Sequence, residues 1–132
     1  LYRVAGNVSD NAGEKWYSAQ QAWSEEKGIV AAGEFAADAN VSRAAFITMF
    51  YKTLALDDKY DTAVTDEMRA ALAAASDYVD VAEANADAIA WAVSVGLIQG
   101  TDGGELAVSP DALIDRAQVC TMLQRYYTGL SK

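Results

Sequence analysis

Few residues of this chain could support catalysis. The sequence contains no histidine, so its single cysteine, Cys120, would lack the base that usually activates a thiol. Because Cys120 lies within an apolar helical pattern, we expect it to be buried as a small hydrophobic residue. Four carboxylates could supply the acid and base of a glycosidase, but carboxylates at the start of a helix usually cap it. They are Asp77, Asp80, Glu83 and Asp87. No catalytic residues are predicted, and this part of the chain is not expected to be an enzyme.

Composition also limits metal binding and charged partners. Residues 102–105 and Asp111 form an oxygen-rich stretch with glycines, yet their spacing does not match an EF-hand calcium loop. We therefore expect a solvated turn, no bound metal and no cofactor. The 19 acidic and 10 basic residues give a net charge of −9, which repels nucleic acid and anionic lipid. No apolar run approaches the roughly 20 residues that a membrane-spanning helix needs, so no membrane insertion is expected.

The sequence segments that would position a binding site occur twice in the chain. The segment from Trp23 to Gly28 returns 68 residues later as Trp91 to Gly96. The segment Val41-Ser42-Arg43-Ala44 returns 73 residues later as Ile114-Asp115-Arg116-Ala117. Such a repeat favours a structural array over an enzyme with one unique active site. Residues 1–3 also resemble the closing part of the second helix of each copy, so we expect the chain to be a fragment that begins inside a preceding repeat.

Local signals predict an all-α fold of tandem helix-loop-helix repeats. In each copy a first helix ends at a glycine, Gly28 or Gly96, and a capping residue, Ser42 or Asp115, opens the second helix. Gln118 completes a capping box with Asp115. The predicted divisions are 1–6 for the end of a preceding repeat, 7–56 for one repeat, 57–75 for a helical linkage outside either copy's core, and 76–132 for another repeat.

The order of these motifs resembles the S-layer homology domain, most closely in the second copy. The matching segments are residues 76–80, 88–93, 96–100 and 114–119. The resemblance implies a wall-anchoring module whose repeats, commonly three, pack into a pseudo-threefold helical bundle. Such modules are extracellular parts of bacterial surface proteins and bind secondary cell-wall polysaccharide, often carrying ketal-linked pyruvate, without a covalent bond.

By the family's pattern, the arginine at the start of the second helix binds the sugar's carboxylate, which points to Arg43 and Arg116. An arginine there would add a fork of donors beside free main-chain N–H groups. Either arginine could instead pair with an acidic neighbour. Trp16, Trp23 and Trp91 are candidates for stacking against the sugar, although tryptophans at helical spacing often pack in a core.

The two copies depart from the family's Thr-Arg-Ala-Glu motif, because neither contains the glutamate. The equivalent residues are Ser42-Arg43-Ala44-Ala45 and Asp115-Arg116-Ala117-Gln118. Either the ligand differs from the usual one, or only one copy binds. The alternative function is a protein-interaction or S-layer lattice-forming module, and self-association of the fragment would accompany an uncovered apolar edge.

Overall fold

The protein is mostly helical, as a computed structural model shows for residues 1, 17–33, 39–98 and 107–130, without the side chains of 129 and 130. Five α-helices follow in chain order: α1 Ser18–Glu26, α2 Arg43–Leu54, α3 Asp66–Ala73, α4 Glu83–Ser94 and α5 Arg116–Leu130. A 3₁₀ turn, Tyr78–Asp80, precedes α4. Within the described residues there is no sheet, so the all-α prediction is confirmed. The division of the chain into repeats stays a prediction.

The helix boundaries follow local sequence signals. Gly28 and Gly96 have φ values of +70° and +82°, the left-handed conformation that ends α1 and α4. The Ser42 Oγ accepts the N–H of Ala45 at 3.1 Å and caps α2. At α5, Asp115 and Gln118 exchange two hydrogen bonds of 2.8 and 3.1 Å, which confirms the predicted capping box.

The core is formed where α2, α4 and α5 meet around three aromatic side chains. The ring of Phe50 lies 6.2 Å from that of Trp91 and 5.3 Å from that of Tyr126, both in edge-to-face arrangements. Trp91 is 1% exposed, and α4 is buried over the whole stretch 88–92. Burial raises the pKa of Tyr126 to about 12, so its hydroxyl stays neutral. Side chains from both predicted repeats therefore share one core.

Helix α3 is part of this core, so the prediction that residues 57–75 stay outside it is wrong. Leu72 is 1% exposed, and Ala75 is also buried within the same cluster as Phe50 and Trp91. Arg69 of α3 also pairs with Asp87 of α4, with 3.0 Å between Nε and Oδ1. The alanine-rich composition hid this role, because a short helix with one large apolar side chain gives a weak periodic signal.

Aromatic side chains join the loop between α2 and α3 to the core. The Trp91 indole N–H donates to the main-chain oxygen of Asp61 at 3.0 Å. The Tyr51 hydroxyl donates to the main-chain oxygen of Thr62 at 2.9 Å. Both bonds satisfy polar atoms of the aromatic residues while joining the loop to the core.

Helix α5 contacts the core along a narrow stripe. Met122 and Tyr126 are buried and Val119 and Leu123 are half-buried, whereas Cys120 is exposed. The prediction that Cys120 is buried is therefore wrong, because this residue lies beside the stripe and not within it. Within residues 17–33, 39–98 and 107–130, no helix combines the length and apolar character needed to cross a bilayer.

Replacing Leu72 tests whether α3 belongs to the core. We expect Leu72→Ala to lower the free energy of unfolding by ~2–5 kcal/mol, because it removes a buried side chain and leaves a cavity. The matched control is Leu56→Ala, since Leu56 is 47% exposed and should change the same quantity by less than ~1 kcal/mol. Urea denaturation followed by circular dichroism measures both. Equal effects would show that α3 is not a core helix.

Replacing Trp91 tests the bond between the core and the loop at Asp61. We expect Trp91→Phe to lower the free energy of unfolding by about 2 kcal/mol, since it loses buried ring volume and the indole hydrogen bond. Trp23→Phe is the same change at a half-buried position of α1 outside the core cluster, and it should cost less than ~1 kcal/mol. A larger loss from Trp23→Phe than from Trp91→Phe would contradict this account.

Candidate functional site

Residues 107–115, which we call the strap, cross the start of α2 and connect the two predicted repeats. Ser42 and Leu113 form an isolated antiparallel bridge. Three main-chain hydrogen bonds surround it: Ile114 N to Val41 O at 2.9 Å, Arg43 N to Ala112 O at 2.8 Å, and Ala44 N to Pro110 O at 3.0 Å. The side chain of Val108 is buried in the core and anchors the strap from below.

The strap occupies the N–H groups that the sequence suggested would bind a ligand. The first four N–H groups of a helix have no partner within the helix. In α2 the N–H groups of Arg43 and Ala44 donate to the strap, and that of Ala45 donates to Ser42 Oγ. The expectation that a carboxylate meets free main-chain donors beside Arg43 is therefore wrong. Among the described residues of this helix start, the donors left for a ligand are those of the Arg43 guanidinium.

The guanidinium of Arg43 is fixed by the strap on one side. Its Nε donates to the main-chain oxygen of Val108 at 2.9 Å, and the side chain is half-buried. Among the described residues, the two Nη groups have no hydrogen-bond partner. The Nε side of the guanidinium is thus fixed in direction, while the Nη side can bind a planar anion such as a carboxylate.

A second arginine lies close enough to act on the first through its charge. Burial lowers the pKa of Arg43, the positive charge of Arg125 lowers it further, and Asp77 opposes both. Arg125 donates from Nη1 to the main-chain oxygen of Leu97 at 3.2 Å, which holds it beside the end of α4. Two neighbouring positive charges favour an anion between or beside them, and an arginine stays charged despite such a shift.

Asp77 connects the strap to the 3₁₀ turn before α4. Its carboxylate accepts the N–H of Val108 at 3.0 Å and that of Ser109 at 2.8 Å. Ser109 has a φ of +49°, which non-glycine residues rarely adopt. Burial raises the pKa of Asp77, but the two N–H donors and the charge of Arg43 outweigh it and hold the pKa below its usual value.

Arg116 occupies the equivalent position of the second copy in a different setting. Its side chain is exposed and, among the described residues, makes no hydrogen bond or ion pair. The main-chain N–H groups of Arg116 and Ala117 likewise have no partner there. The neighbouring cap is an aspartate, which places a negative charge beside Arg116. Arg43 and Arg116 occupy equivalent positions in the repeat, but the strap holds Arg43 and not Arg116.

The three candidate tryptophans have different positions. Trp91 is 1% exposed and has no surface for a sugar, so the structure corrects its assignment as a ligand residue and places it in the core. Trp23 is half-buried on α1. Trp16 lies outside the described residues. A role in sugar stacking stays a prediction for Trp16 and Trp23.

The sequence analysis did not connect Arg125 or Asp77 with Arg43. Both lie far along the chain from Arg43, so no local pattern connects them with it.

Residues 102–105, part of the stretch weighed as a calcium site, lie outside the described residues. In the remaining ranges, 17–33, 39–98 and 107–130, no cluster of three acidic, cysteine or histidine side chains could hold a metal ion.

Comparison with known protein families agrees with the order of motifs. The family description of the S-layer homology domain matches residues 76–120, which include the 3₁₀ turn, α4, the strap and the start of α5. No curated protein and no solved structure matches the chain. The similarity to the S-layer homology domain is thus confirmed for residues 76–120.

Proposed function

We propose that this chain anchors a bacterial surface protein to the cell wall by binding secondary cell-wall polysaccharide without a covalent bond. The S-layer homology domain is a non-catalytic module with a general role in cell-surface anchoring. Secondary polysaccharide, an extracellular location and an acidic sugar substituent such as ketal-linked pyruvate are the further parts of the proposal. The residues around the strap support an acidic ligand, and the family match supports a location at the cell surface.

The observation that carries the proposal is that the strap fixes one side of the Arg43 guanidinium. Its Nε is bonded to the strap, and its Nη groups have no partner among the described residues. A carboxylate matches the spacing of two parallel N–H donors, so this arrangement selects a planar anion more strongly than a diffuse positive charge would. The chain carries a net charge of −9, so two neighbouring arginines are not part of a general basic surface, which supports a local site for an anion.

We assign the main ligand contact to Arg43 and a weaker one to Arg116. Arg43 is already held in place, so binding a ligand costs it less conformational entropy than it would cost an exposed arginine. Arg116 is exposed beside the aspartate cap of α5, which opposes a negatively charged ligand. Trp23 and Trp16 are the candidates for contact with a sugar ring.

The second candidate function is binding to a protein, including other copies in a surface lattice. Val79 in the 3₁₀ turn is 90% exposed and Leu113 in the strap is 61% exposed. Apolar side chains of this size at the surface favour a protein partner when they form a continuous patch. The experiment below separates this function from glycan binding.

Substitution of the arginines tests the glycan site. We expect the wild-type protein to co-sediment with cell-wall sacculi that retain secondary polysaccharide, and not with sacculi stripped of it. Arg43→Ala should weaken binding by about tenfold or more, because it removes a charge-assisted bidentate contact, and Arg116→Ala should weaken it less. The matched control is Arg69→Ala, since Arg69 pairs with Asp66 and Asp87 away from the strap.

Three results would contradict the proposal in different ways. Equal binding to stripped and intact sacculi would exclude the polysaccharide as the ligand. Retained binding by Arg43→Ala would exclude the proposed site. Unchanged binding after mild acid removes ketal-linked pyruvate from the sacculi would exclude that carboxylate, and binding only to sacculi with their surface proteins would favour the protein partner.

A further inference from the structure

We propose that Asp77 is a positioning residue that sets the direction of the Arg43 guanidinium through the strap, without contacting the ligand. The inference rests on the proposed function for its effect on binding. Its structural part concerns only the protein and can be tested in the absence of any ligand.

The connection runs through one peptide segment. Asp77 accepts the N–H groups of Val108 and Ser109, and the main-chain oxygen of Val108 accepts the Arg43 Nε. Both faces of the strap at Val108 are thus bonded to charged side chains. A carboxylate that receives two N–H donors forms stronger hydrogen bonds than a neutral acceptor would, so Asp77 holds this part of the strap firmly.

The conformation of the strap needs such support. Ser109 has a φ of +49°, and a residue with a side chain rarely stays in that conformation unless its surroundings hold it there. The shorter of the two bonds to Asp77, 2.8 Å, is made by the N–H of this same residue. Loss of the carboxylate would therefore allow the backbone at Ser109 to change conformation. The main-chain oxygen of Val108, which accepts from Arg43 Nε, would move with it.

Asp77 also contributes charge to the same cluster. Its negative charge acts on Arg43, whereas Arg125 acts on Arg43 with the opposite sign. The carboxylate accepts from two main-chain donors, and among the described residues no hydrogen bond joins it to the Nη groups of Arg43. This arrangement lets an acidic residue support a site for an acidic ligand.

The structural test measures hydrogen exchange of the Arg43 Nε–H by nuclear magnetic resonance, without ligand, in wild-type protein and in Asp77→Asn. Asparagine keeps one acceptor oxygen but presents an NH₂ group to the strap, so it cannot accept both N–H groups. We expect the exchange of the Arg43 Nε–H to become about tenfold faster in Asp77→Asn. The Trp91 indole signal reports whether the fold is intact, because its N–H is bonded to Asp61 at a separate place.

Asp87→Asn is the matched control, since Asp87 on α4 accepts a hydrogen bond from Arg69 on α3 and does not hold the strap. It should leave the exchange of the Arg43 Nε–H unchanged. If Asp77→Asn does not fold, Asp77→Glu carries the same test, because its longer side chain displaces the carboxylate while retaining its charge. Unchanged Arg43 exchange in the folded variant, or an equal increase in Asp87→Asn, would overturn the inference.

The functional test measures affinity for a methyl hexoside that carries 4,6-ketal-linked pyruvate. A folded Asp77 variant should bind about tenfold more weakly than wild type, and Asp87→Asn should bind normally. Faster Arg43 exchange with unchanged affinity would show that Asp77 does not position a ligand-binding group. Failure of the wild-type protein to bind both this hexoside and intact sacculi would instead refute the proposed function, while the exchange measurement would still decide the structural claim.

Discussion

The hydrogen bonds between the strap and the start of α2 are the constraint on which the rest of the structure depends. A helix begins with N–H groups that need acceptors, and in α2 the strap supplies two of these as main-chain carbonyls. The strap lies within residues 76–120, which match the S-layer homology domain, whereas α2 belongs to the predicted repeat before it. Satisfying one helix start therefore fixes the relative position of two parts of the chain that are about 65 residues apart.

This same constraint determines which ligand chemistry is available. With the first N–H groups of α2 already bonded, a bound anion must be recognised by side chains. Arg43 keeps one edge of its guanidinium against Val108, and Arg125 adds a second positive charge nearby. A site of this kind depends on the strap for its geometry, and Asp77 connects the strap to the 3₁₀ turn before α4. In the proposed function, ligand binding thus depends on the same hydrogen bonds that hold the strap on α2.

The sequence was informative where a structural signal is local. The caps at Ser42 and Asp115 act over three residues, and the glycine ends of α1 and α4 need only a left-handed residue. The sequence was less informative where burial depends on distant partners. Trp91 and Cys120 have similar apolar surroundings along the chain, yet the fold buries the first and exposes the second. No local pattern could show that Asp77 and Arg43 meet the same peptide of the strap.

The most direct test of this account is a titration of isotope-labelled protein with the pyruvate-bearing methyl hexoside, observed at arginine side-chain and main-chain N–H signals. The account predicts saturable shifts of the Arg43 guanidinium, with little change in the main-chain N–H signals of residues 43–45, since those groups remain bonded to the strap and the cap. Large shifts of those main-chain signals with an unchanged guanidinium would contradict it, because the ligand would then bind the helix start that the strap is proposed to cover.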